Sequence, residues 1–436
     1  MKFLSTRGEC APASLSQAIR RGAAPDGGLY MPDRPPQLGA ELRDPNMPLS
    51  DFAAAMLSAF FEGDTLEGEL RAICSEAFDF PVPITAPDAA KAGLRALELF
   101  HGPTGAFKDF GARFLMACFD RIGDSADPLT VLAATSGDTG GAVGCAAEGR
   151  AAVRAVILFP KGRVSPFQEL QLTCWKAQVR AFEVAADFDA CQRLAKEAFA
   201  DASLSNRHRL TSANSINIGR LLPQIAYVGH AAMRLFAETG VKPGFLIPTG
   251  NLGHGFAALY ARAIGLPVGP VVLVTNANRT LFDWHGSGNY QPRSSVATLA
   301  NAMDVGAPSN FERLLALSVG QREARIELVH DEAIRARMAA EYRESGYVWC
   351  PHSATAVEAY TRLSAKERAE RPWIAAATAH PFKFAESIEP VIGARIEAPP
   401  QLRALLGKPA KKHAIPPELG ALADALELPG STAAGG

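Results

Sequence analysis

Between residues 129 and 274 the apolar positions fall in short continuous runs, each ended by a turn and followed by a helical stretch rich in Ala and Leu. Leu129-Thr130-Val131-Leu132-Ala133-Ala134 precedes a turn at Ser136-Gly137, and Val153 to Pro160 forms a second run. Gly244 to Ile247 leads into Pro248-Thr249-Gly250, and Pro270 to Val274 follows one helix later. Strands alternating with helices predict parallel α/β sheets whose ligands lie beyond the carboxyl ends of the strands. Trp373 to Ala377 reads as another strand, made mostly of small residues and ending in the polar corner Thr378-Ala379-His380-Pro381. Before residue 90 the pattern changes. Leu15, Ala18 and Ile19 share one helix face, prolines run from Pro32 to Pro36, and a second helix is predicted near Phe52 to Phe61. This stretch is read as a separate helical cap. After Pro399 the chain is rich in proline, lysine and alanine, and Gly430 to Gly436 is expected to be disordered.

Length and composition set outer limits. A chain of 436 residues is long enough for two or three domains, and 48% hydrophobic with 20% charged residues is ordinary for a globular protein. A net charge of -1 creates no field for nucleic acid or an anionic membrane, so a small-molecule partner is expected. The seven cysteines lack Cys-x-x-Cys spacing and are expected to be reduced core residues. No apolar run approaches the ~18–20 residues needed to span a bilayer. Arg7 and Glu9 stand where a signal peptide needs its apolar stretch, so the cytoplasm is the expected location. No histidine spacing suits a metal, and none is expected.

Four segments carry candidate chemistry. In Phe100-His101-Gly102-Pro103-Thr104-Gly105-Ala106-Phe107-Lys108-Asp109-Phe110-Gly111 one lysine lies between two phenylalanines. A lysine held among aromatics loses hydration, its pKa falls, and its free amine becomes a nucleophile or Schiff-base partner; the plainer alternative is an exposed charge at a helix start. Thr135-Ser136-Gly137-Asp138-Thr139-Gly140-Gly141 opens a predicted helix, so its backbone N–H groups suit a carboxylate or phosphate, unless Asp138 or Thr139 merely caps the helix. Pro248-Thr249-Gly250-Asn251-Leu252-Gly253-His254-Gly255 is a second such turn and matches no nucleotide-binding spacing. Asn214-Ser215-Ile216-Asn217-Ile218-Gly219-Arg220 offers an arginine and short polar side chains for a phosphate, or else a helix cap with a solvated arginine.

Taken together with Ser5-Thr6-Arg7-Gly8, Asp26-Gly27-Gly28-Leu29-Tyr30 and Thr378-Ala379-His380-Pro381, these segments resemble, in order, those of the threonine synthase family. The resemblance spans nearly the whole chain. It implies a fold-type-II pyridoxal-phosphate enzyme, similar to the tryptophan synthase beta chain, with parallel sheets flanked by helices and an N-terminal helical cap. The domains implied are the cap at 1–90, a large cofactor domain at 91–126 and 212–400, a small mobile substrate domain at 127–211 and a C-terminal extension at 401–436. Lys108 would carry pyridoxal 5'-phosphate; Asp138, Gly250, Asn251, Leu252, Gly253 and Thr378 would help hold it. Thr104, Thr135, Ser136, Gly137 and Thr139 would bind substrate, and Asn214, Ser215 and Arg220 would take its phosphate. The reaction implied converts O-phospho-L-homoserine and water to L-threonine and phosphate, and a related phospholyase that releases a keto acid is the alternative. No nucleic acid or membrane partner is expected, and the chain is expected to act as a monomer or a dimer.

Other readings of single motifs are weaker. Asp109-Phe110-Gly111 matches the magnesium motif of protein kinases, but no His-Arg-Asp loop accompanies it. A binding protein that had lost catalysis would be expected to lack Lys108 or Thr378, and both are present. His254 is read as a surface or packing residue, Ser309 with Glu312 as a capping box for a helix from Phe311 to Val319, and the glycine-rich stretch after Asp283 as a lid.

Overall fold

Two sheets frame the site. The computed structural model describes residues 1–427 except 177, 319 and 321, so the expected disorder of 430–436 and the predicted helix end at Val319 lie outside the described residues. One sheet has six strands in the spatial order Arg325–Leu328, Val271–Thr275, Gly244–Pro248, Trp373–Ala377, Leu94–Glu98 and Ile84–Thr85. All neighbours are parallel except the last pair, which is antiparallel. The other sheet has five parallel strands, ordered His413–Ile415, Val179–Val184, Val153–Pro160, Leu129–Ala134 and Leu210–Ser212.

Why the runs are apolar throughout becomes clear from their burial on both faces. Phe245, Ile247, Val271 and Leu273 face one core, while Leu246, Val272 and Val274 face another on the far side of the same sheet. In the second sheet Val131, Ala155 and Ile157 join the first core, and Leu132, Val156 and Leu158 enter a third. The first core therefore lies between the sheets and is filled by the helices Lys108–Ile122, Ile218–Thr239 and Gly253–Ala263.

The packing ties both ends of the chain to the two sheets. Residues 1–90 are largely helical, but Phe3, Phe52, Phe60 and Phe61 belong to the same core as Phe114 and Ile225, and Ile84–Thr85 is an edge strand of the six-stranded sheet. The cap is thus not a separately packed body. Within the C-terminal extension, His413–Ile415 completes the five-stranded sheet beside Val179–Val184, and Leu422, Ala425 and Leu426 cover its third core. A three-residue strand preceded by Lys411 and Lys412 and followed by Pro416 has no apolar period to reveal it. Among the described residues no helix is long and apolar enough to cross a membrane.

Candidate active site

Where the two sheets meet, a cavity of about 120 Å³ opens beyond the carboxyl ends of their strands, walled by Lys108, Ser136, Asp138, Thr139, Arg220 and Thr378 among others. Thr135, Asn214, Ser215, Gly250, Asn251, Leu252 and Gly253 also line it. The topology brings these residues together because each follows a strand end or opens a helix: Lys108 starts Lys108–Ile122, Asp138 starts Asp138–Ala147, and Gly253 starts Gly253–Ala263.

Lys108 lines this cavity and is partly buried, with Nζ 4.2 Å from the centre of the Phe107 ring. Burial and then the positive charge of Arg220 pull its pKa down to about 8, against a smaller opposing pull from Asp138. The exposed-charge alternative is thereby excluded. Stability follows from the sign of this shift. Between about 8 and the ordinary 10.5 the unfolded chain holds a proton that the folded one has lost, so this lysine favours folding more as pH rises through that window, and its full cost is felt below 8. In urea unfolding of cofactor-free protein, Lys108→Met is expected to be more stable than the wild type at pH 7, with the advantage shrinking as pH approaches 10.5. A constant difference across that window would contradict the assignment.

Two expected substrate residues are not in the cavity wall. Thr104 is fully buried, and its hydroxyl and N–H donate to Asp109 at 2.6 and 2.9 Å, so this threonine braces the turn before Lys108. Gly137 gives its N–H to Thr135 Oγ1 at 3.0 Å; its φ of 141° and a would-be Cβ only 2.5 Å from Gln168 Nε2 require glycine for the turn itself. Thr135 Oγ1 also accepts from the Gly140 N–H, so its hydroxyl shapes the loop from within. Asp109 of the kinase-like triplet is committed to Thr104. Gly111 leaves room for an arginine: a Cβ there would meet Arg220 Nε at 2.6 Å.

Arg220 is not solvated. It is 2% exposed, donates from Nη1 to the Ala213 carbonyl at 2.6 Å, and leaves Nε without a partner. Burial lowers its pKa to about 10, so it stays charged at neutral pH. The loop beside it is held by Arg313, which donates to the carbonyls of Ser215, Ile216 and Tyr30 at 3.3, 2.7 and 3.2 Å. No motif signalled Arg313. The expected capping box is corrected here: the helix is Phe311–Ala316 with Asn310 at its N-cap, and Glu312 instead accepts from Arg7 and Thr6 at 2.7 and 2.9 Å. An ion pair and a hydroxyl from a distant chain segment outcompete a local cap. The stretch from Asp283 to Ser287 likewise belongs to a helix, Thr280–Ser287.

The second turn has Leu252 in the left-handed region at φ 63°, a strained position for a branched side chain, at the N-cap of the helix that begins with the cavity-lining Gly253. At Gly250 a Cβ would lie 2.9 Å from the Met303 backbone, whereas at Gly253 the nearest atoms are 3.5 Å away, so the protein's own packing leaves that side open. His254 is no surface residue: its ring stacks on Phe107 at 4.8 Å, neither ring nitrogen has a partner, and burial followed by the charge of Lys108 lowers its pKa to about 3. Thr378 accepts from the Phe107 N–H through its carbonyl at 2.8 Å, and its hydroxyl lies 3.3 Å from Ser353 Oγ and 3.9 Å from Cys350 Sγ. Asp138 meets a residue no motif contained: its Oδ1 lies 3.0 Å from the buried Lys383 ammonium.

Comparison with known proteins places this geometry. The model for pyridoxal-phosphate-dependent enzymes matches residues 89–379, that for the threonine synthase N terminus residues 2–78, and that for the threonine synthase C-terminal region residues 353–425. A threonine synthase from Haemophilus influenzae is 39% identical over 394 residues, 89% of this chain and 91% of its own. One from Escherichia coli is 37% identical over 97% of this chain and 98% of its own. The chain belongs to the threonine synthase family. The crystal structure of pyridoxal-phosphate-bound threonine synthase from Brucella melitensis superposes with a TM-score of 0.90 at 32% identity, covering 99% of this chain and all of that one. The fold is therefore that of fold-type-II pyridoxal-phosphate enzymes, and the residues present suit the cofactor of the threonine synthase family: a partly buried lysine of lowered pKa, an open helix N-terminus at Gly253 and a buried hydroxyl at Thr378.

Proposed function

We infer that the chain converts O-phospho-L-homoserine and water to L-threonine and phosphate, with Lys108 as its catalytic base and acid. The observation that carries this reading is one cavity walled by both a lysine near pKa 8 and a buried arginine that has no ion-pair partner among the described residues. A buried cation without an anion is costly, and a phosphate is the ligand that removes the cost.

Two anion sites are assigned in that cavity. The turn Gly250, Asn251, Leu252 and Gly253, with the helix N-terminus behind it, would hold the cofactor's phosphate; Thr378 would face its ring nitrogen. Asn214, Ser215 and Arg220 would bind the substrate's phosphate, and Ser136 with Thr139 at the other helix N-terminus its carboxylate. Pyridoxal phosphate, when bound, supplies an electron sink for carbanions on the substrate. Lys108 Nζ is the group that takes and returns protons at the substrate carbons, and its lowered pKa keeps part of it as free amine at neutral pH. Arg220 stays with the phosphate as it departs from Cγ, and water then adds at Cβ. The chain is proposed to work in the cytoplasm, as a monomer or a dimer.

Running the reaction in oxygen-18 water tests the function. Heavy oxygen is expected in the threonine hydroxyl and none in the released phosphate, because the C–O bond and not the P–O bond breaks. 2-Oxobutyrate and ammonia as main products would make the protein a phospholyase, and label in phosphate a phosphatase.

A further inference from the structure

Lys383 lies in none of the motifs that mark the site. It belongs to the short turn Pro381–Phe384 that follows Thr378, and its side chain is fully buried. Its Nζ donates to the Thr104 carbonyl at 2.8 Å and pairs with Asp138 Oδ1 at 3.0 Å, where Gln168 Nε2 also donates at 3.0 Å. The backbone of the same turn accepts from Ser165 Oγ at 3.3 Å, and the neighbouring Phe382 meets Phe167 edge-on at 5.0 Å. One turn therefore grips both the loop that opens Asp138–Ala147 and the segment before Lys108, since Thr104 in turn holds Asp109.

We propose that Lys383 is a positioning residue for the reaction: its ammonium holds Asp138 as an anion at the cavity wall and locks the substrate loop to the segment that carries Lys108. The proposal rests on the reading that this cavity takes pyridoxal phosphate. Asp138 lines the cavity and Lys383 does not, so the carboxylate is the charge nearer any bound group. The other titratable groups around Asp138 are His352 and Cys350 at the start of the helix Pro351–Thr361, and Lys108. Burial pulls His352 down to about 4 and pushes the Cys350 thiol up, so both are neutral at pH 7, and among the described residues Lys383 is the cation that bonds Asp138 directly. Buried pairs of this kind are strongly coupled: removing one partner leaves an uncompensated charge, whereas neutralising both is tolerated.

The test uses the cofactor-loaded protein as wild type, Lys383→Met and the double variant Asp138→Asn/Lys383→Met. Melting temperature and the midpoint of a pH titration of the bound cofactor's visible absorbance are the readouts. Lys383→Met is expected to melt below the wild type, because Asp138 is left buried without its cation and must be held there protonated, and the double variant to recover most of that loss. Both variants are expected to show a midpoint lowered by about one unit or more, since an anion at the wall favours a proton on the bound group and neither variant presents one. A wild-type midpoint in either loaded variant would overturn the proposal, as would a double variant no more stable than Lys383→Met. Products of the wild-type reaction are scored separately: absence of threonine with the midpoint still displaced would overturn the functional reading and leave the role of Lys383 standing.

Discussion

Lys108→Ala is expected to lower threonine formation by at least about a thousandfold, the scale on which enzymes lose rate when a nucleophile that also moves protons is removed. Nζ is the amine that meets the three requirements at once. It is partly buried, it lines the cavity, and burial beside Arg220 holds its pKa near 8, so a useful fraction is unprotonated at neutral pH. Phe107 and Asp109 fix its direction from either side, the first through its N–H to the Thr378 carbonyl and the second through Thr104. Borohydride reduction of the loaded wild type followed by peptide mapping should place the cofactor label on Lys108. The variant should lose that label while retaining its fold. Label on another lysine, with Lys383 the nearest rival by burial, would refute the assignment.

Arg220→Met is expected to separate binding from stability. A charge-assisted hydrogen bond contributes roughly 1.5–3 kcal/mol, so kcat/KM for O-phosphohomoserine should fall by about tenfold to a few hundredfold while cofactor occupancy stays unchanged. The unliganded variant should be at least as resistant to urea as the wild type, because an apolar side chain of similar length replaces a buried charge whose Nε is unsatisfied. Inorganic phosphate should stabilise the wild type against unfolding and leave the variant unmoved. Loss of cofactor from folded Arg220→Met would mean that the two phosphate sites have been exchanged in the assignment.

Much of this was legible in the chain before any coordinates. Continuous apolar runs marked the strands because both faces of each sheet are covered, and glycine-rich turns after those runs marked the cavity because helix N-termini follow parallel strands. What stayed hidden shares one property, a partner far away in sequence. Arg313 supports Ser215 from nearly a hundred residues away, Glu312 pairs with Arg7 across about three hundred, and Lys383 reaches Asp138 across more than two hundred. No local spacing encodes such pairs. The edge strand His413–Ile415 was missed for the same reason, since its identity lies in the register it shares with Phe182 to Val184 and not in its own three residues.

The sequence by itself determined the chemistry available at the site: a lysine between phenylalanines, two glycine-rich turns and an arginine, each set by residue types within one short segment. Only the tertiary structure decided how those groups are charged and which of them face the cavity. Thr104 and Gly137 belong to the right segments yet brace their own turns, while Lys383 and Arg313 belong to none and hold the site in place. The physical reason is burial. Moving a side chain out of water changes its pKa and obliges every polar atom to find a partner, and both effects depend on which distant segments the fold packs against it.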